Sequence, residues 1–154
     1  MQLNPGESLA YINMSVLFLG TGDYGRAKEE FFKVLSLEPE NSDATYYLGA
    51  IMNLEKKESE AMRYYNNAIA FDPQNEKVYS ARDLLRARTG DLKAGISDFN
   101  TAITLNPDNA ETYVNRGKTK LYMYDKTGAC DDWSKAFSLG YSSIKPAIEK
   151  YCGN

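Results

Sequence analysis

A chain of 154 residues with 43% hydrophobic and 25% charged residues is long enough to bury a core, and its composition is neither disordered nor fibrous. A net charge of −3 argues against a nucleic-acid partner, because neutralising phosphates requires a clear excess of Lys and Arg. The longest apolar runs, such as "VLFLG" at 16–20, are far too short to cross a bilayer, so membrane insertion is not expected.

The chain opens on "LNPG" at 3–6, and near copies follow as "LEPE" at 37–40, "FDPQ" at 71–74 and "LNPD" at 105–108, so that Pro5, Pro39, Pro73 and Pro107 stand 34 residues apart. A fixed period of this length means one supersecondary unit repeated. Residues 1–7 read as the remnant of a preceding repeat, since Met1 to Gly6 correspond to Leu35 to Glu40. The first full period then predicts a helix over about 8–20 and another over about 24–36; its successors predict pairs over 42–54 and 58–70, 76–89 and 92–104, and 110–122 and 127–138. The second helix of each pair carries a stripe spaced four then three: Ala27, Phe31, Val34; Ala61, Tyr65, Ala68; Gly95, Phe99, Ala102; Ala129, Trp133, Ala136. Asn41, Asn75 and Asn109 stand two residues after their prolines, where an asparagine can cap the next helix while the proline ends the last one. Gly22 and Gly90 supply a left-handed residue between paired helices; Lys56 and Tyr124 fill the same slot in the other two repeats and predict strain there. Residues 144–154 remain beyond the fourth period.

These columns resemble the tetratricopeptide-repeat family of bacterial type, most clearly in "YYLGAIM" at 46–52, "TGDLKAGISDFNTAITLNP" at 89–107 and "TGACDDWSKAFSLGY" at 127–141. The resemblance implies an all-α, right-handed α-solenoid of four helix-turn-helix repeats, 8–41, 42–75, 76–109 and 110–143, followed by a capping helix and tail over 144–154. It also implies that Ser15, Gly49, Asp83 and Gly117 face Ala27, Ala61, Gly95 and Ala129 where paired helices come closest. Asp83 opposite Gly95 then reads as a volume swap, a larger side chain leaning over a missing Cβ. Arg82 and Arg86 of the same repeat are expected to pack their stems and send their charged heads to water.

Little in the chain carries chemistry. It has no histidine, the glycines form no phosphate-cradling cluster, and the adjacent Asp131 and Asp132 point about 100° apart on a helix, so both are expected on a solvated face. No enzyme, cofactor or metal site is expected. Cys130 and Cys152 fit no zinc pattern. They read either as two small, partly buried thiols or as a disulfide tying down the capping helix, since "GACDDW" with a terminal "YC" resembles the end of many bacterial repeat proteins of this kind. A disulfide would favour a compartment outside the cytoplasm.

By the same resemblance the first helices line a concave, peptide-binding groove, and the function expected is that of a non-catalytic protein-binding scaffold for a peptide or extended protein segment. The groove positions are Leu9, Ile12, Asn13, Val16, Tyr46, Tyr47, Lys77, Leu84, Asn115 and Lys118. Asn13 and Asn115 occupy the slots of an asparagine ladder that Tyr47 and Ala81 interrupt. The carboxylate clamp of chaperone-binding members is not reproduced: Ile12, Val16, Tyr47 and Ala81 replace its polar residues, and only Lys77 matches. Helices 76–89 and 110–122 count four basic against two acidic and three against one, so a partner with acidic groups or a free C-terminal carboxylate is expected near Lys77 and Lys118. The alternative is a structural segment that self-associates through its open first helix or continues a longer array, with the groove empty.

Overall fold

The computed structural model describes residues 5–153, with side chains from Ser8 onward. Among them every regular element is helical: α1 (Pro5–Thr21), α2 (Tyr24–Leu37), α3 (Ser42–Leu54), α4 (Glu58–Phe71), α5 (Glu76–Thr89), α6 (Leu92–Leu105), α7 (Ala110–Tyr122), α8 (Lys126–Ser138), a single 3-10 turn (Ser142–Ile144) and α9 (Lys145–Cys152). The chain divides into two compact units at Val78 and Tyr79, within the first turn of α5.

In the first unit α1 pairs with α2, α3 pairs with α4, and α2 packs on α3. Phe31 and Val34 of α2, Leu48 and Ile51 of α3, and Tyr65 and Ala68 of α4 form its buried stripe. Gly49 is required at the α3–α4 crossing: a Cβ there would stand 2.8 Å from the Tyr65 ring. The second unit repeats the scheme with α7 paired to α8 and α6 on α7, and α9 lies on α8. Its core gathers Tyr113, Val114, Ala129, Trp133, Ala136 and Ile144. Gly117 takes the place of Gly49, with Trp133 Nε1 2.5 Å from where its Cβ would be; that indole N–H donates to the Val114 carbonyl at 3.2 Å.

The ends of the helices follow the sequence with three differences. Asn41 and Asn109 cap α3 and α7 through Ala44 N and Thr112 N, whereas Asn75 turns its amide onto Ser42 Oγ and Asp43 Oδ1, at 3.1 and 2.9 Å. Asp23, Asp91 and Asp125, which the sequence reading passed over, cap α2, α6 and α8. Helix α1 begins at Pro5, a turn before residue 8; proline suits a first helical position, where no intrahelical N–H is needed. Of the segment 1–7 assigned to a preceding repeat, residues 1–4 lie outside the described residues.

The strained turns are where the missing glycines place them. Lys56 and Tyr124 adopt φ of 63° and 64°, beside Gly22 at 78° and Gly90 at 91°. A side chain in this region costs about 1–2 kcal/mol, and Tyr124 is 95% exposed, so little packing offsets it. Tyr124→Gly is therefore expected to stabilise the second unit by about 1 kcal/mol, measurable as a higher urea midpoint by the fluorescence of Trp133, the one tryptophan in the chain.

Candidate functional site

The predicted groove residues fall into two sets, one in each unit. In the first unit Leu9, Asn13, Val16 and Lys77 are exposed, while Ile12, Tyr46 and Tyr47 are half-buried. Tyr47 is held by packing: its ring stacks on Phe31 with centroids 5.1 Å apart and planes 13° from parallel, and Tyr46 tilts against it at 4.9 Å. Its ring area is thus committed to the α2–α3 junction.

In the second unit Leu84, Asn115 and Lys118 come together with Ala87, Leu92 and Tyr122 around a cavity of about 500 Å3. Leu84 comes from α5, Leu92 from the first turn of α6, and the other residues of α7 follow one helical face, three and four residues apart. Lys118 is exposed and has no ion pair among the described residues. The arrangement offers an apolar wall for a side chain, an amide that both donates and accepts, and two cations, Arg88 and Lys118.

The remaining basic residues are already used. Asp98 of α6 is 5% exposed in its side chain and takes Arg82 Nε and Nη2 at 2.8 and 2.7 Å, and Arg86 Nη1 at 2.8 Å. One repeat later Asp132 of α8 takes Arg116 Nε and Nη2 at 2.9 and 2.6 Å and Lys120 Nζ at 2.9 Å. This corrects three expectations. Asp132 is buried and paired, not solvated; Arg82 and Arg86 send their heads to Asp98, not to water; and the basic excess counted over α5 and α7 is mostly internal. Burial of an acid between two bases gives the reason, since a guanidinium with a bidentate carboxylate partner retains its hydrogen bonds away from water. Lys77, Arg88 and Lys118 are the basic residues of these helices that stay exposed.

Asp83 sits beside this cluster. It leans over Gly95, whose Cβ would lie 2.5 Å from Asp83 Oδ1, as the volume swap requires. The side chain is fully buried and neither oxygen has a hydrogen-bond partner. Burial first, and the Asp98 carboxylate second, push its pKa up to about 9, with Arg86 acting in the opposite direction. The group is therefore a neutral acid at pH 7.

In the structure Cys130 of α8 and Cys152 of α9 are joined by a disulfide, their Cα atoms 5.7 Å apart. Among the described residues no group of three or more His, Cys, Asp or Glu could hold a metal ion, and no helix is long and apolar enough to cross a membrane.

Comparison with known proteins agrees with this architecture. The family model described as tetratricopeptide repeat matches residues 9–41. BBSome complex member BBS4 of Bos taurus is 26% identical over 93 residues, covering 60% of this chain and 18% of that protein. The UDP-N-acetylglucosamine–peptide N-acetylglucosaminyltransferase of Giardia intestinalis is 32% identical over 86 residues, covering 56% of this chain and 6% of that protein. The chain thus spans less than a fifth of the length of either relative. Two solved structures share the fold: pilF of Pseudomonas aeruginosa, with a TM-score of 0.86 at 23% identity over 94% of this chain and 66% of that one, and a thermophilic TPR protein of Thermus thermophilus, with 0.75 at 19% over 86% and 74%. Helical hairpins of this kind serve protein–protein interaction in general. The matched residues form α1 and α2, so the chain carries a tetratricopeptide repeat there, and the same 34-residue columns carry on to α8.

Proposed function

We propose that the chain is a non-catalytic interaction scaffold that holds an extended segment of a protein partner on the faces of its first helices, with the cavity of the second unit as a principal contact. The observation that carries this reading is the coincidence, at one cavity of about 500 Å3, of Leu84, Asn115 and Lys118. An apolar side chain of the partner fills the wall, the Asn115 amide meets its backbone, and Lys118 faces an acidic side chain or a terminal carboxylate. The four basic residues spent on Asp98 and Asp132 take no part, so the charge preference rests on Lys118 and Arg88 and is modest.

The test is a photo-crosslinking amino acid at position 84 to identify the bound segment, followed by titration of that segment. Leu84→Glu is expected to weaken it by roughly tenfold or more and Lys118→Glu by a smaller factor, with melting temperatures unchanged. Unchanged affinity in both variants would refute the reading.

A second reading has its own observation. Met14 and Leu17 of α1 are 47% and 66% exposed, while their counterparts in α3, Leu48 and Ile51, are fully buried in a unit where α2 covers α3. Among the described residues the α1 stripe is the same surface without a cover, and self-association through it would appear as a concentration-dependent mass in light scattering that Leu17→Lys abolishes.

A further inference from the structure

A second cavity, of about 310 Å3, lies among α7, α8 and the segment that closes the chain, walled by Leu121, Trp133, Ile144, Ala147 and Tyr151. Lys118 and Tyr122 border this cavity and the first one alike. Two of its walls depend on α9, which supplies Ala147 and Tyr151, and Tyr151 is set against Trp133 at 5.8 Å. A helix of eight residues is too short to stand alone in water. It has no side-chain cap at its start, and its end is fixed to α8 by the Cys130–Cys152 bond.

We propose that this cavity is a second side-chain subsite, taking an aromatic or large aliphatic side chain of a partner whose neighbouring carboxylate pairs with Lys118, and that the disulfide holds its wall in place. The inference rests on the scaffold reading and specifies its partner: apolar groups on either side of an acid, because one exposed, unpaired cation borders two apolar cavities. The wall is also redox-dependent. A dithiol transfers two electrons and two protons to the Cys130–Cys152 bond and becomes a cyclic disulfide; two thiols remain on the protein and α9 is no longer tied to α8.

Trp133 makes the test direct, since its ring lines the cavity. The probe is N-acetylphenylalanine, titrated against the oxidised chain by tryptophan fluorescence. Saturable quenching is expected, about two- to fivefold weaker with N-acetylphenylalaninamide, which lacks the carboxylate, and with Lys118→Ala. Ala147→Phe, which fills the cavity and leaves the disulfide intact, is expected to abolish the response. Reduction with dithiothreitol and the Cys152→Ser variant are expected to abolish it too, with the helical circular dichroism signal largely kept. Absence of saturable quenching in the oxidised chain, equal affinity for the amide, or an unaltered response in Ala147→Phe would overturn the subsite; equal affinity before and after reduction would overturn the latch. Leu84→Ala, which cuts back the wall of the first cavity without placing a carboxylate beside Lys118, separates the two cavities: it should leave the probe's affinity unchanged, and a partner that loses affinity in Leu84→Ala while the probe fails to bind would sink this inference and leave the scaffold reading standing.

Discussion

Asp98→Ala is expected to destabilise the second unit by about 3–5 kcal/mol, the cost of leaving buried charge without its counter-ion. Asp98 bridges two guanidinium groups whose side chains are only 14% and 22% exposed. Removing the carboxylate leaves Arg82 and Arg86, one turn apart on α5, side by side at the α5–α6 crossing without their counter-ion, and it deletes three charged hydrogen bonds at once. The neighbouring repeat type supplies a control for the pair's net worth. At the matching positions the second repeat carries Leu48, Met52 and Tyr64, an apolar solution to the same crossing. The triple change Arg82→Leu, Arg86→Met and Asp98→Tyr should therefore recover most of the loss, because a buried ion triad and a well-packed apolar set differ little in stability. Urea unfolding followed through Trp133 reads both variants, with Asp131→Ala, an exposed site, expected within about 0.5 kcal/mol of the parent. A single variant that unfolds at the parent's midpoint would show that solvent already screens the cluster.

The repeat frame, the paired helices and the crossing of Asp83 over Gly95 were legible because each depends on one residue type recurring at one spacing, and a period of 34 displays such columns directly. The ion clusters were not, although their signal was present. Positions 30, 64, 98 and 132 read Glu, Tyr, Asp, Asp, while 14, 48, 82 and 116 read Met, Leu, Arg, Arg, and 18, 52, 86 and 120 read Phe, Met, Arg, Lys. Bases arrive in two columns together, in the repeats that have an aspartate in the third. Reading each column alone shows surface charge; only the three columns together show a crossing filled by ions. Glu30 marks the boundary case: it is buried with no base at 14 or 18, so one oxygen takes Lys33 at 2.7 Å and the other is unpaired. Of the groove positions, Leu84, Asn115 and Lys118 meet at one cavity, which their columns alone do not specify, and the stacking of Tyr47 on Phe31 is set by ring orientation that no spacing encodes. The resemblance implies the capping helix and offers the Cys130–Cys152 tie as one of two readings, and the structure has both. The cavity under α9 was out of reach all the same, because it depends on how Ala147 and Tyr151 settle against Trp133.

Asp83 gives the largest pH effect. An unfolded aspartate titrates near 3.9, and in the native chain the same group is pushed up to about 9. Between those values folding takes up a proton, so the sign is fixed: stability is greatest below the unfolded value and falls as pH rises toward 9, at up to about 1.4 kcal/mol per pH unit. The ionised form has nowhere to go, because its oxygens have no donor and Asp98 stands close. Asp83→Ser is expected to remove this slope and to raise the urea midpoint most at pH 8 to 9. The first repeat already shows that serine fits the slot, with Ser15 fully buried and its Oγ donating to the Tyr11 carbonyl at 2.6 Å. Subtracting the variant's stability from the parent's across pH 5 to 9 cancels the titration of every other group, and a difference that stays flat over that range would mean that Asp83 is ionised and hydrated in the folded protein.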